Sequence, residues 1–178
     1  IKDLSSLNKN IDIIYRNYKK EPNKSILLSL KNFCKKDKRK FFIANDIKLA
    51  IKLKIDGVYI PSFNKNLNFF NFNVCKNFII IGSAHNKREI ITKKKQNCQL
   101  IFLSPLFQTT KSKKILNAIK FNFLSLNENK LFIALGGINE KNIKKVFLTD
   151  SVGIAGIRWI KKNGPRQNLR PFLKFNRL

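Results

Sequence analysis

The chain has 178 residues, is 43% hydrophobic and carries a formal net charge of +27. That length suits one domain with a substantial core rather than two, and the hydrophobic content excludes an intrinsically disordered chain. No apolar run approaches the roughly 20 residues that span a bilayer, and Ile1-Lys2-Asp3-Leu4 lacks the apolar core of a signal peptide, so a cytoplasmic protein without a membrane partner is expected.

The basic surplus, 37 Lys and Arg against 10 Asp and Glu, is the kind that phosphate neutralisation gives a nucleic-acid binder. Its distribution argues otherwise. Lys far outnumbers Arg and is scattered through the chain, and Asn, Ile and Phe are heavily used beside it. All four residues have AT-rich codons, so base composition and solvated faces account for the charge. Nucleic acid is therefore the disfavoured partner, and a preference for phosphorylated small molecules stays open. Cys34, Cys75 and Cys98 are widely spaced and odd in number. They suit buried free thiols, not a zinc site or a disulfide framework. The chain starts at Ile1 and contains no Met, so its natural start, and with it one strand or helix, is expected upstream.

In chain order, Ile11–Tyr15 reads as a strand ending at Arg16. Ser25–Cys34 has helical apolar spacing and stops in the basic run Lys35–Lys40. Phe41–Ala44 is the next strand, and Asp46 is placed to cap a short helix over Ile47–Lys54. Asp56–Ile60 is a strand ended by Pro61, and Ser62–Asn77 reads as loop with a short helix. Phe78–Ile81 is a strand reaching Gly82-Ser83-Ala84-His85, followed by a helix over Lys87–Lys95. Strand Leu100–Leu103, helix Ile115–Leu126, strand Leu131–Leu135, helix Glu140–Phe147 and strand Val152–Ile157 complete the alternation. Pro165 and Pro171 make Lys161–Leu178 a poor helix, read as a basic C-terminal extension to a domain over residues 1–160.

Seven apolar runs alternating with helical segments predict a parallel sheet. Polar residues end nearly every strand instead of clustering at one switch point. That favours a (β/α)₈ TIM barrel, its first strand missing or upstream, over an open doubly wound sheet. The strand ends also carry the candidate chemistry. Asp46 could hold a hard cation such as Mg²⁺ or merely cap its helix. Ser83 and His85 could reach a phosphate, although a lone His with no carboxylate beside it is commonly structural. Thr109-Thr110-Lys111-Ser112-Lys113 is a dense set of anion donors after a buried strand. Gly136-Gly137 and Gly153 to Gly156 allow close backbone approach on adjacent strands, where barrels commonly seat phosphate.

Together, Asn45-Asp46, Asp56-Gly57-Val58-Tyr59-Ile60-Pro61, Ile81-Gly82-Ser83-Ala84-His85, Ser104-Pro105-Leu106-Phe107, Thr109–Lys113 and Ala134-Leu135-Gly136-Gly137-Ile138 resemble the thiamine-phosphate synthase/TenI family in order and spacing, from about Ile11 to Ile160. The resemblance implies a (β/α)₈ barrel and a Mg²⁺-assisted transferase. Such an enzyme joins hydroxymethylpyrimidine diphosphate to thiazole phosphate and releases pyrophosphate, with homo-oligomerisation open. By motif, Arg16 and Ser83 would bind diphosphate, Asn45 and Asp46 would hold the pyrimidine-side diphosphate and Mg²⁺, and Asp46 would be the metal ligand. Lys113 with Thr109, Thr110 and Ser112 would contact both phosphates. Gly136, Gly137 and Gly156 would take the thiazole phosphate.

The chain departs from that pattern at several points. The family's Arg-x-Lys strand end is Arg16-Asn17-Tyr18 here, with the nearest lysine at Lys19. The second acidic metal ligand falls in Pro61-Ser62-Phe63-Asn64, which has no carboxylate. Arg158 stands where a phosphate-binding Ser is common, and Thr109–Lys113 aligns two ways, one residue apart. These departures imply a weakened metal–diphosphate half. Their alternative is a TenI-like thiazole-phosphate binder or a non-catalytic paralogue. Ser104-Pro105, standing where the tautomerases of the family use a His, argues against tautomerase chemistry.

Overall fold

A computed structural model describes residues 2–18, 23–67, 74–110, 112 and 114–156. Its elements are α1 (Lys2–Ser5), β1 (Ile13–Tyr15), α2 (Lys24–Lys36), β2 (Phe41–Ala44), α3 (Ile47–Lys52), β3 (Gly57–Ile60), β4 (Ile79–Ala84), α4 (Lys87–Lys95), β5 (Leu100–Leu103), α5 (Asn117–Ser125), β6 (Leu131–Leu135), α6 (Ile143–Val146) and β7 (Gly153–Ala155). All seven expected strands form. Short α1 was not expected, α6 is a single turn, and β4 runs on past Ile81 through Gly82, Ser83 and Ala84, the residues expected at its end. No helix forms over 61–67; residues 68–73 lie outside the described residues, as do Lys19, Lys111, Lys113, Arg158 and the expected extension Lys161–Leu178.

The sheet order is β1-β2-β3-β4-β5-β6-β7, and every neighbouring pair is parallel. An unreversed order has no switch point, which rules out the doubly wound alternative. A single cavity of about 260 Å³ is lined from every strand, including Ile14, Phe42, Tyr59, Ile81, Phe102, Ile133 and Ile154. Only a sheet curled around that cavity can do this. The expected (β/α)₈ barrel, its first strand missing or upstream, is met only in part. Among the described residues there is no ladder between β7 and β1 and no eighth strand, so the sheet is a curled half-barrel. Leu4, Leu7 and Ile11 line the cavity as well.

Strand alternation divides the core in two. Phe42, Tyr59, Ile79, Ile81, Leu100, Phe102 and Ile133 form the inner cluster. Phe41, Ile43, Val58, Ile80, Ile101, Leu103 and Phe132 meet Leu27, Ile90 and Phe121 of the surrounding helices. Burial on both faces explains why the strands read as unbroken apolar runs.

The helices are bounded by side chains. Asn23, Asp46 and Asn86 cap α2, α3 and α4 by accepting from Ser25, Leu49 and Glu89 amides. Three helices end in the same hydrogen-bond pattern. Lys38, Lys54 and Asn97 occupy the left-handed position that usually takes glycine (φ 56°, 49° and 56°). The following amides, of Arg39, Ile55 and Cys98, bond back to Cys34, Ala50 and Lys93 carbonyls at 2.9, 2.9 and 3.0 Å. Arg39 then reaches under the half-barrel to the Leu7, Asn8 and Ile11 carbonyls, at 2.7, 2.6 and 3.1 Å, and fixes the segment that leads into β1.

Candidate functional site

Because all strands are parallel, the residues after them gather at one mouth of the half-barrel: Arg16, Asn45-Asp46, 61–67, His85, 104–110 and 112, Gly136-Gly137 and Gly156. Just after β1, Arg16 continues the inward alternation of Ile14, and it lines the cavity enclosed by the sheet together with Gly156. It forms no ion pair with a described residue; its guanidinium lies 5.9 Å from the Tyr18 ring centroid.

Ser83 is two residues beyond inward-facing Ile81, and Ser104 two beyond inward-facing Phe102. Both are buried, 4% and 9% exposed, and neither hydroxyl has a partner among the described residues. Buried polar groups are normally paired. Two unpaired hydroxyls on neighbouring strand ends, two residues out of register at the mouth, are therefore groups poised for a ligand. The sequence marked Ser83, but took Ser104 only as part of a loop.

On the β1–β3 side, Asn45 takes a left-handed φ of 64°. Its Oδ1 accepts from Asn64 Nδ2 at 2.6 Å, which ties the loop after β2 to that after β3. The Phe63 ring meets Tyr18 edge-on at 5.4 Å. Asn17, Tyr18, Asn45, Asp46 and Phe63 border a second cavity of about 290 Å³. Burial pushes the Tyr18 phenol up to about 12. Asp46 Oδ1 accepts from Leu49 N at 2.8 Å, so the capping role is real, and Oδ2 is left for a ligand. Among the described residues, no group of three or more His, Cys, Asp or Glu could hold a metal ion. The donor set suits only a Mg²⁺ carried on phosphate oxygens, with Asp46 as its one protein carboxylate.

His85 has a partner the sequence reading missed. Glu89 Oε2 accepts from His85 N at 2.8 Å and meets Nδ1 at 2.9 Å, while Asn86 Oδ1 accepts from Glu89 N at 3.0 Å. The signal was the i, i+4 spacing, and the arrangement holds the first turn of α4 as a capping box does.

On the β5–β6 side, backbone meets backbone. Leu106 N donates to Leu135 O at 2.9 Å and Phe107 N to Gly136 O at 3.1 Å. In the loop above, Thr109 Oγ1 accepts from Ser112 N at 3.0 Å and Ser112 Oγ donates to Lys114 O at 3.1 Å, so both hydroxyls close the turn. Thr110 is exposed, and Lys113, between Ser112 and Lys114, lies outside the described residues.

A curled parallel sheet in strict sequential order, with buried hydroxyls and paired loops around one mouth, defines an α/β half-barrel with a strand-end binding site. The chain belongs to the thiamine monophosphate synthase family, whose model matches residues 8–160. It is 28% identical over 141 residues to a thiamine-phosphate synthase of Prochlorococcus marinus subsp. pastoris, covering 76% of this chain and 40% of the relative. It is also 28% identical over 136 residues to one from Flavobacterium psychrophilum, covering 71% and 66%. The chain thus spans between 40% and 66% of these relatives' lengths. In fold it is similar to a thiamine phosphate pyrophosphorylase from Pyrococcus furiosus, with a TM-score of 0.67 at 20% identity over 80% of this chain and 71% of that one. No helix among the described residues is long and apolar enough to cross a membrane.

Proposed function

We propose that this chain is a thiamine-phosphate synthase-type transferase that joins hydroxymethylpyrimidine diphosphate to thiazole phosphate and releases pyrophosphate. The observation that carries the reading is the pair of buried, unpaired Ser83 and Ser104 hydroxyls facing inward at the mouth, between Asn45-Asp46 and Gly136-Gly137. In the reaction, the bond between the pyrimidine methylene carbon and the diphosphate oxygen breaks and its electrons leave with the diphosphate. The thiazole nitrogen lone pair then forms the new C–N bond.

Arg16, free of any ion pair among the described residues, is suited to fork onto the departing diphosphate. Ser83 donates to it from the barrel wall. Asn45 is held rigidly by Asn64 and sets the pyrimidine-side loop. Asp46 Oδ2 would hold a Mg²⁺, which when bound would supply positive charge against the leaving diphosphate. Gly136, Gly137 and Gly156 would seat the thiazole phosphate in line for attack, and the loop of Thr109, Thr110, Ser112 and Lys113 would contact both phosphates. The scattered lysines raise the local concentration of such anions.

Purified chain with both substrates and Mg²⁺ should form thiamine phosphate and release pyrophosphate in equal amounts. Thiazole phosphate binding without turnover sinks the synthase reading. It would favour a thiazole-phosphate binder, to which the single carboxylate at the diphosphate side already points.

A further inference from the structure

The loop after β3 is held by two side chains of the helix behind it. Lys93, in the last turn of α4, is 0% exposed. Its stem crosses β4 at Gly82, where a Cβ would lie 2.9 Å from Lys93 Cγ and 2.8 Å from Cδ, so the crossing depends on glycine. At the far end, Lys93 Nζ donates to Pro61 O at 2.7 Å, Asn64 O at 2.8 Å and Gln96 Oε1 at 2.8 Å. Gln96, also 0% exposed, uses its amide nitrogen on Asn64 O at 3.0 Å and Asn66 O at 2.7 Å. The three ammonium protons meet three acceptors, and Gln96 is oriented by the lysine it accepts from.

A buried ammonium facing only neutral acceptors is an expensive way to brace a loop, and burial lowers this one to about 8. Its neighbour Lys94 instead pairs with Glu128 at the surface, at 2.6 Å, so Lys93 is not a stray member of the surface charge. What the bracing delivers is the position of Phe63 and Asn64. Asn64 holds Asn45 beside Asp46, and Phe63 stands against Tyr18 across the second cavity.

We propose that Lys93 and Gln96 are positioning residues for the diphosphate side of the site, gathering the carbonyls of residues 61, 64 and 66 so that Asn64 orients Asn45 and Phe63 closes on Tyr18. The identity of the ligand rests on the transferase reading; the clamp itself stands on the hydrogen bonds above.

Lys93→Met keeps the stem over Gly82 and removes the ammonium. Calorimetry with Mg²⁺-pyrophosphate should show affinity weakened about fivefold, the worth of one lost hydrogen bond. Thiazole phosphate affinity should stay within about twofold, since its seat is built by other loops. Hydrogen exchange should speed up at 62–67 while β5 and β6 keep their protection. Asn64→Ala should weaken pyrophosphate as much, and the double variant should be no worse than either single one, because both act through Asn45. Additive losses, or unchanged pyrophosphate binding in folded Lys93→Met, overturn the positioning role. Unchanged exchange at 62–67 overturns the clamp whatever the ligand. If wild-type chain binds no pyrophosphate, it is the transferase reading that fails at this end, and exchange still decides the clamp. Should Lys93→Met not fold, Gln96→Leu removes the bonds to Asn64 and Asn66 and one of the three acceptors of Lys93 Nζ, leaves the ammonium on the Pro61 and Asn64 carbonyls, and must shift affinity and exchange in the same direction.

Discussion

Replacing Gly137 with alanine tests whether the two loops on the β5–β6 side form one interlocked unit. Gly137 has φ +70°, and a Cβ there would lie 2.5 Å from Gln108 O, 2.6 Å from Phe107 O and 2.7 Å from Phe107 C. All three atoms are backbone, so no side chain can swing aside. A left-handed alanine costs roughly 1–2 kcal/mol, and overpacking a close contact adds about 1–3 kcal/mol. The sum, roughly 2–5 kcal/mol, corresponds to a fall in Tm of roughly 5–15 °C for a domain of this size. Relief requires the loop over 105–108 to retreat, which breaks the 3.1 Å bond from Phe107 N to Gly136 O. Inorganic phosphate should therefore bind more weakly to any Gly137→Ala chain that still folds. Thermal unfolding followed by circular dichroism, with phosphate titrated at the same temperature, reads both effects. Asn142→Ala is the comparison. It loses the 2.8 Å bonds to Gly137 O and from Asn139 N without filling the gap, and should lower stability by only about 1–2 kcal/mol. A Gly137→Ala chain that melts within about 2 °C of wild type and binds phosphate equally well refutes the interlock.

Asp46 performs two tasks that one pair of variants separates. Asp46→Ala loses the cap on α3 and should cost about 1 kcal/mol, whereas Asp46→Asn keeps an acceptor for Leu49 N and should melt as wild type. If Asp46→Asn still binds Mg²⁺-pyrophosphate normally, the carboxylate is only a cap. Lys93 predicts an alkaline gain in stability. The folded chain gives up this proton near pH 8 and the unfolded chain near 10.5, so the unfolded state binds more protons in between and stability rises with pH. The gain should be about 1 kcal/mol from pH 7 to 9, before Cys34 and Cys98, pushed up to about 11 and about 12 by burial, act in the opposite sense. Urea midpoints should show that rise in wild type and lose it in Lys93→Met; a flat wild-type profile rejects the assignment. On the acid side, hydrogen bonds from Lys87 and Lys94 hold the Glu128 carboxyl below its ordinary value, so its contribution is present above about pH 4.5 and fades as pH falls through the folded value. Glu128→Gln should flatten that part of the curve, and an unchanged acid profile argues against it.

The strands were legible because burial on both faces leaves them as unbroken apolar runs, and their polar ends located the mouth. Helix ends were less so: α4 forms over the expected Lys87–Lys95, but α2 runs two residues past its expected end and α3 stops two short of its own. The usual punctuation is glycine, and Lys38, Lys54 and Asn97 take its place in three helices, so the sequence offers a charged or polar residue where a stop sign is expected. Nor could composition separate Lys93, Lys94 and Lys95. Three adjacent lysines of α4 become a buried clamp, half of a surface ion pair and an exposed residue. Only spacing hints at the difference, since Lys93 lies three residues after Ile90 and shares its inward face. The Asn45–Asn64 contact was out of reach for another reason. It joins two loops through side chains 19 residues apart, and nothing local in either loop calls for the other.

That contrast accounts for where the chain keeps the family pattern and where it leaves it. The β5–β6 side is assembled from peptide groups: Leu106 and Phe107 amides on the Leu135 and Gly136 carbonyls, with glycine giving way to a neighbouring backbone. Peptide groups are the same whatever residue carries them, so drift toward Lys, Asn and Ile leaves such a seat intact while the glycines remain. The β1–β3 side is assembled from side chains, so each replacement there changes the chemistry. Tyr18 and Phe63 form an aromatic contact, and Asn64 an amide hydrogen bond, in the segments where the family pattern has a lysine and a second carboxylate. The two rings are in contact, and the loop that carries Phe63 is braced from behind by Lys93. Diphosphate binding should therefore lean on Arg16 and Asp46 more than on a divalent ion held by the protein alone. It follows that Arg16→Gln should weaken Mg²⁺-pyrophosphate binding by more than Asp46→Asn does. The reverse order would mean that the metal, and not the guanidinium, still governs this end of the site.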